Sequence, residues 1–159
     1  MFFYTFKANK KAVIGASLVV LALIILFFIF PSHPKTESVS AKANINASTN
    51  AERIAFIENF GYDVIEEPLE TRDVVIPEQF DNTYKRYNEL QLSQGFDLSK
   101  FKGKSVKSFS YAVTNYPGIE NSEKTVRANL LVYNSEIIGG DICSVELDGF
   151  MHEFDYGKT

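Results

Sequence analysis

The feature that most constrains this chain is an uninterrupted apolar segment at residues 12–30, AVIGASLVVLALIILFFIF. The segment carries no charge and no proline over 19 residues. At about 1.5 Å of rise per residue it makes a helix of roughly 28 Å, which matches a bilayer hydrocarbon core of about 30 Å. Backbone groups in lipid must bond within their own segment, and a lone segment can do this only as a helix. The sequence therefore predicts a single transmembrane helix, with the lipid bilayer as its partner.

The lysines around this segment predict its orientation. Three of them lie just before it, within residues 1–11, whereas the cations that follow it are farther away. Positively charged flanks stay in the cytoplasm. Residues 1–11 are therefore predicted to form a cytoplasmic tail, and the rest of the chain is predicted to lie outside the cell membrane.

A cleaved secretory signal is the alternative interpretation of the same segment. Residues 41–43 have the Ala-x-Ala pattern of a cleavage site. However, the apolar segment is longer than the usual signal core of about 7–15 residues, and residues 41–43 lie well beyond its end. An uncleaved single-pass anchor is the favoured prediction.

Composition divides the rest of the chain into a linker and one domain. Residues 31–50 are rich in Ser, Thr, Asn and Ala and contain two prolines, so they predict a flexible linker. Residues 51–154 suffice for one domain, and residues 155–159 are predicted to be a frayed tail. Residues 51–159 carry 11 Lys and Arg against 19 Asp and Glu, a net charge of −8, and residues 1–50 carry 5 against 1, a net charge of +4. The acidic outer domain argues against nucleic acid as a partner.

Two helices are predicted in this domain. The first spans residues 51–60, because Thr49 or Asn50 can cap it and a glycine follows its apolar stripe. The second begins at Pro77, whose missing N–H is harmless in a first turn, and ends at Gly95. Residues 97–101 predict one further helical turn.

The strand patterns predict an antiparallel sheet. Residues 62–67 and 72–76 are predicted to pair as a short hairpin. A three-strand meander follows, with strands at residues 107–113, 126–133 and 137–147 and a turn at Asn134-Ser135. Gly139-Gly140 predicts either a bulge or a close backbone approach in the third strand. The predicted fold class is α+β: two main helices pack on a sheet made of this meander and the short strand pair.

Polar side chains on the second helix predict a candidate site. Phe80, Tyr84, Tyr87 and Gln91 recur at the spacing of one helix face. Core packing is the simpler interpretation, but the polar tips of the tyrosines and the glutamine are unusual in a dry core. The sharper hypothesis is a ligand face, made of the following residues: Tyr84, Tyr87, Asn88, Gln91 and Asp141.

Catalytic, metal and cofactor sites are not predicted. A nucleophile needs a positioned base, and the one histidine outside the linker is His152. A cluster of Cys143, His152 and Asp141 is conceivable only if the last strand turns back. Cys143, the single cysteine, is predicted to be a buried thiol, with a cross-link between two chains as the alternative. The acidic stretch from Glu66 to Asp73 lacks the glycine of a calcium loop and predicts a solvated edge.

The domain resembles a family of domains of unknown function, DUF4830, over about residues 52–154. The resemblance rests on these segments: Ile76-Pro77, Phe80-Asp81, Tyr84, Tyr87-Asn88, Gln91, Gly95, Asp97-Leu98, Gly103-Lys104, Asn115-Tyr116-Pro117, Ile138-Gly139-Gly140-Asp141 and Gly149-Phe150. It implies a short membrane-anchored protein of Gram-positive bacteria with an extracytoplasmic domain. It implies no activity and no site residues.

A binding or structural module at the cell envelope is the predicted function, with an envelope protein or a small ligand as partner. The alternative is a sensor domain that signals through a membrane partner, because the cytoplasmic tail is too short to be a domain. An enzyme is the least expected class, since no catalytic constellation is present in the sequence.

Overall fold

A computed structural model of the chain describes residues 45–157. The predicted cytoplasmic tail, the predicted transmembrane helix at residues 12–30 and most of the predicted linker lie outside these residues. Among the helices of residues 45–157, none has the length and apolar character needed to cross a membrane.

The described residues form an α+β fold, as the sequence predicts. The strands make one antiparallel sheet in the order β1-β2-β3-β4-β5. Two short 3-10 helices, Leu98–Phe101 and Ser122–Lys124, lie between the main elements, and the first of them confirms the predicted turn after the second helix. The main elements, in chain order, are α1 (Asn50–Glu58), β1 (Glu70–Val75), α2 (Asn82–Ser93), β2 (Ser105–Ala112), β3 (Val126–Tyr133), β4 (Glu136–Ser144) and β5 (Met151–His152).

Side-chain caps determine where the helices begin. Thr49 accepts a hydrogen bond from the Glu52 N–H, and the Glu52 carboxylate accepts one from the Thr49 N–H, which closes a capping box at α1. At α2 the Asp81 carboxylate accepts from the Tyr84 N–H at 2.7 Å. The predicted start of this helix at Pro77 is wrong. Ile76 bonds to the backbone of residues 103 and 104, so the chain is still extended there and turns into the helix only at Asp81.

The predicted hairpin between residues 62–67 and 72–76 is also wrong. Both segments lie along the same strand, one after the other. Val64 forms an isolated bridge with Val113, and Leu69 donates to the Ser110 carbonyl at 2.8 Å. β1 then pairs with the rest of β2 in antiparallel register. Ile65 donates to the Ala112 carbonyl and Leu69 to the Ser110 carbonyl, so the short connection around Pro68, which has no N–H to donate, does not reverse the chain.

The C-terminal meander is confirmed. Asn134 and Ser135 both have positive φ, which a two-residue hairpin turn requires. The register shifts between Leu131 and Val132, which lie opposite Gly139 and Ile137, so the predicted bulge is present beside the glycine pair. The last strand was predicted to reach residue 147 but ends at Ser144, because the chain turns there and returns as β5, which was not predicted.

The two helices cover opposite faces of the sheet. Phe56 and Ile57 of α1 pack on the face that carries Leu130 and Ile142, and the ring of Phe154 joins them there. On the other face, Tyr84 and Tyr87 of α2 pack with a separate apolar cluster: Ile76, Leu98, Val106, Leu131 and Ile138. The three layers leave both faces of the central strands buried.

Both ends of the fold extend beyond the predicted domain boundaries. At the N-terminal end, the Ile45 carbonyl accepts from the Ile137 N–H at 2.7 Å, and Ala47 is 2% exposed, so these residues of the predicted linker belong to the sheet edge and the core. At the C-terminal end, the Tyr156 ring stacks on His152 with ring centroids 4.5 Å apart. The folded domain therefore begins at least at Ile45 and includes part of the predicted frayed tail.

Gly95 closes α2 as predicted, and its replacement gives a first testable prediction. Gly95 has φ +86°, and the Phe96 N–H bonds to the Gln91 carbonyl at 3.0 Å, the pattern of a Schellman cap. A side chain is strained in this conformation, so Gly95→Val is expected to lower the free energy of unfolding by about 1–2 kcal/mol. Thermal unfolding of the purified full chain measures the effect. Gly95→Asn, which tolerates positive φ, should lose less, and an unchanged melting temperature for Gly95→Val would contradict the assignment.

Candidate functional site

Gln91, at the centre of the predicted ligand face, is bound to the backbone of β4. Its side-chain amide donates to the Gly140 carbonyl at 2.9 Å and accepts from the Gly140 N–H at 2.8 Å. Gln94 donates to the same carbonyl at 3.0 Å and accepts from the Phe154 N–H at 3.0 Å. On the edge of β4 that faces away from β3, residues 45–47 pair with one end of the strand and β5 pairs with the other. Gly140 lies between these two pairings, so the Gln91 side chain provides the hydrogen-bond donor and acceptor that a neighbouring strand would otherwise supply.

Tyr87 and Asp141 form the second polar contact between α2 and the sheet. The Tyr87 hydroxyl donates to Asp141 Oδ2 at 2.8 Å. Asn129, which lies opposite Asp141 on β3, donates to Oδ1 at 2.8 Å and to the Cys143 sulfur at 3.2 Å. The Ser110 hydroxyl on β2 donates to Oδ1 of the Asn129 side chain, so the network crosses three strands. These side chains hold Tyr87 in one position against the sheet.

Burial dominates the electrostatics of this network. Desolvation raises the pKa of the Asp141 carboxyl, although the hydrogen bonds from Asn129 and Tyr87 act in the opposite direction. The pKa of Tyr87 lies well above its usual value, first because the phenol is buried and then because Asp141 is beside it. The phenol therefore stays protonated and acts as a hydrogen-bond donor over the whole neutral range.

The remaining two residues of the predicted ligand face have different roles. Asn88 is buried and accepts a hydrogen bond from the Leu98 N–H at 2.8 Å, which ties α2 to the following 3-10 turn. Tyr84 packs its ring between Phe80 and Tyr87, with ring centroids 4.6 Å and 6.0 Å away. The structure thus brings all five predicted residues to one side of the sheet, but it places the polar groups of Asn88, Gln91 and Asp141 in internal hydrogen bonds.

A groove opens beside these residues, between α2 and β5. Its volume is about 550 Å³, and most of its lining is apolar. Tyr84 and Tyr87 belong to it, but Asn88, Gln91 and Asp141 do not. The residues that line this α2–β5 groove are Thr83, Tyr84, Arg86, Tyr87, Leu90 and Met151. Whether it binds a ligand stays a prediction.

Sequence reasoning missed several residues that build this region. Thr83, Arg86 and Leu90 share a helix face with Tyr87, and that spacing was a usable signal. Asn129 was visible as a polar residue between apolar neighbours on β3. Met151 carried no signal, because β5 pairs through only two residues and has no periodic pattern.

A second cavity, of about 400 Å³, lies on the α1 side of the sheet. Arg53 and Lys107 line it, but both are already engaged. The Arg53 guanidinium lies 3.9 Å from the centre of the Phe109 ring and donates to the Tyr111 hydroxyl at 2.8 Å, and Lys107 pairs with Asp73 at 3.0 Å. The α2–β5 groove is therefore the better candidate site.

Cys143 and His152 lie on opposite faces of the sheet. β5 does turn back beside β4, but it places His152 opposite Ile142 and Met151 opposite Cys143. Side chains of successive strand residues point to opposite faces. His152 instead stacks on Phe150 and lies 2.9 Å from the Tyr116 hydroxyl. Within residues 45–157, no group of three or more His, Cys, Asp or Glu side chains lies close enough to hold a metal ion.

The Cys143 thiol is half-buried, and burial raises its pKa to about 11. We expect its reaction with a disulfide reagent at pH 8 to be about tenfold slower in the folded chain than in the unfolded chain, because the fraction of reactive thiolate is lower and its greater nucleophilicity offsets only part of that loss. Because Cys143 is the only cysteine, the released chromophore reports this thiol alone. The same chain in denaturant is the control, and equal rates in the two states would contradict the burial.

The raised pKa of Cys143 also links this group to stability. The folded state favours the protonated thiol. The stabilisation that this thiol contributes to the free energy of unfolding is therefore complete below pH 9 and is lost as pH rises toward 11.

Comparison with known proteins identifies a family. The family model described as "Domain of unknown function (DUF4830)" matches residues 56–142, which is more than half of the chain. No curated protein and no solved structure matches the chain. The matched region runs from α1 into β4, so it contains α2 and the Gly140 contact with Gln91 but not Met151. The chain therefore belongs to the DUF4830 family of domains of unknown function.

Proposed function

We propose that this chain is a non-catalytic binding module, held at the outer face of a cell membrane by residues 12–30. The α2–β5 groove is its recognition surface. The main observation that supports this proposal is the largely apolar groove. Helix α2 forms one wall of the groove and is held against the sheet by buried hydrogen bonds.

The size and rigidity of the groove support binding. Its volume of about 550 Å³ lies within the range of roughly 300–1,000 Å³ that small-molecule sites occupy. Tyr87 is held by Asp141, and Gln91 holds the next turn of α2, so little ordering is needed when a ligand arrives. Binding to a preformed site loses less conformational entropy than binding to a mobile one.

The thiol and the imidazole support a non-catalytic role. Cys143 has a raised pKa, which makes it a poor nucleophile, and His152 lies on the other face of the sheet. The polar groups of Asp141 and Gln91 are occupied by structural hydrogen bonds. Among the described residues these were the candidates for chemistry near the groove.

Met151 offers a direct test. The chain has two methionines, Met1 and Met151, so a full-length protein labelled with 13C at its methionine methyls gives one signal from the groove. We expect a subset of small apolar and aromatic compounds to shift the Met151 signal of the protein in lipid nanodiscs and to leave the Met1 signal in place. A library in which no compound moves Met151 would overturn the proposal.

Two leucines provide the matched variants for this test. Leu90→Asp places a charge in the groove and should abolish the Met151 shifts. Leu92→Asp makes the same change on an exposed residue of α2 outside the groove, and it should leave the shifts intact. Equal effects of the two variants would show that binding occurs elsewhere.

The membrane topology gives a separate prediction. A reporter enzyme that is active only outside the cytoplasm, fused after Thr159, is expected to be active, because the lysines before residues 12–30 keep the N-terminus inside. The same reporter joined after Lys11, before the apolar segment, should be inactive. Activity of a cytoplasm-only reporter at Thr159 would refute the topology.

A further inference from the structure

The α2–β5 groove contains a cation that has no partner in the described part of the chain. Arg86 is the charged residue among the six that line the groove. Within residues 45–157 its guanidinium takes part in none of the salt bridges or side-chain hydrogen bonds, whereas Arg53 and Lys107 in the other cavity are both engaged. An arginine beside a mostly apolar surface is suited to a ligand that carries one anionic group.

The positions of the lining residues along α2 give the groove two chemically different ends. Thr83 and Arg86 lie in the first half of the helix, and Leu90 lies one turn beyond Arg86. Thr83 and Leu90 are separated by about 10 Å along the helix axis, at about 1.5 Å per residue. A hydroxyl and a guanidinium therefore lie toward one end of the groove, beside the Tyr84 ring, and the apolar side chain of Leu90 lies at the other end.

We infer that the groove takes a small amphiphilic carboxylate, with its anionic group at Arg86 and its apolar or aromatic body toward Leu90. This inference rests on the proposed function and names the chemical class of its ligand. A guanidinium can hold a carboxylate through two parallel N–H donors, and apolar side chains bury the remainder of the molecule.

Among the described residues, neither Asp141 nor Glu89, which follows Arg86 by three residues on α2, forms a salt bridge with the Arg86 guanidinium. Asp141 is 2% exposed, does not line the groove and has its oxygens bonded to Tyr87 and Asn129. The net charge of the domain acts over longer distances, where salt screens it beyond about 8 Å at physiological ionic strength. Direct contact with Arg86 therefore decides the preference within the groove.

A matched pair of compounds tests the inference through the Met151 methyl signal. 4-Phenylbutyrate carries the carboxylate, and 4-phenylbutanamide is its neutral counterpart of nearly the same shape. We expect the wild-type full chain in nanodiscs of zwitterionic lipid to bind the carboxylate about threefold to fivefold more tightly, the size of a partly exposed ion pair. Arg86→Gln should remove this preference, and Lys85→Gln, which changes the neighbouring cation outside the groove, should preserve it.

The possible results distinguish failure of the carboxylate assignment from failure of the proposed binding function. If both compounds shift Met151 with equal affinity, or if the preference survives Arg86→Gln, the groove remains a binding site and the carboxylate assignment is overturned. If neither compound shifts Met151 while other compounds of the apolar and aromatic library do, the carboxylate assignment is overturned and the groove remains a binding site. If no compound of the library shifts Met151 either, the proposed function is contradicted as well. Loss of the preference in Lys85→Gln as well would assign it to the general charge of α2 and would overturn the role of Arg86.

Discussion

Gly140→Val is expected to cost more than about 3 kcal/mol of folding free energy, the upper part of the range for overpacking a core. A Cβ at this position would lie 2.3 Å from the Asn129 carbonyl oxygen and 2.7 Å from Cζ of Phe154. The first of these neighbours is backbone of the adjacent strand, so it cannot rotate away. β3 and β4 would have to separate, or the Phe154 ring would have to leave the core. Chemical denaturation of the purified full chain measures the loss.

Gly118→Val is the matched control for this prediction. Gly118 has φ +77°, and a Cβ there would have no neighbour within 4 Å. The variant therefore carries only the backbone strain of about 1–2 kcal/mol. Equal losses for the two variants would show that the contact between Gly140 and β3 is not as close as described.

Gln91→Leu is expected to cost about 2–4 kcal/mol, although it conserves most of the side-chain volume. The Gly140 N–H would lose the acceptor it has in Gln91, and the Gly140 carbonyl would retain only the donor from Gln94. Gln91 is 0% exposed, so water cannot reach the unpaired groups without opening the fold. The free energy of unfolding in denaturant measures this cost.

Leu92→Ala is the control, because Leu92 is the next residue of the same helix and is 52% exposed. It should change stability by less than about 0.5 kcal/mol. Hydrogen exchange gives a second readout. The Gly140 amide should exchange slowly in the wild type and much faster in Gln91→Leu, and equal protection in the two proteins would contradict the hydrogen bond to Gln91.

Local signals in the sequence predicted the elements that are defined by neighbouring residues. The recurrence of Tyr84, Tyr87 and Gln91 marked the inner face of α2, and Gly95 marked its end. The Asn134-Ser135 turn and the glycine pair of β4 identified the meander and its bulge. Each of these features depends on a few consecutive residues, so a single sequence contains the information that specifies them.

Pairings between distant segments were not predictable in the same way. The alternation in residues 62–67 and 72–76 indicated extended chain but not its partner, and both segments lie on β2. The placement of the helices on opposite faces was hidden for a related reason. Consecutive residues within a central strand, such as Leu130 and Leu131 of β3, are both apolar and are buried on different faces of the sheet. A pattern with two apolar faces does not say which helix covers which face.

The candidate site shows the same division. Tyr87 and Asp141 were predicted to lie on the same ligand face, and the structure brings them into contact. Their polar groups, however, are hydrogen-bonded to each other and to Asn129 inside the fold. The wall that makes a groove beside Tyr87 is Met151, which depends on the return of the chain as β5. No local pattern predicts a strand of two residues.

The proposed function requires that α2 and β5 form the two walls of one groove. Nuclear Overhauser contacts from the Met151 methyl group test this arrangement in the full chain. We predict contacts from that methyl group to the Tyr87 ring and to the Leu90 methyls. A Met151 methyl group with contacts to neither residue would contradict the groove and the function proposed for it.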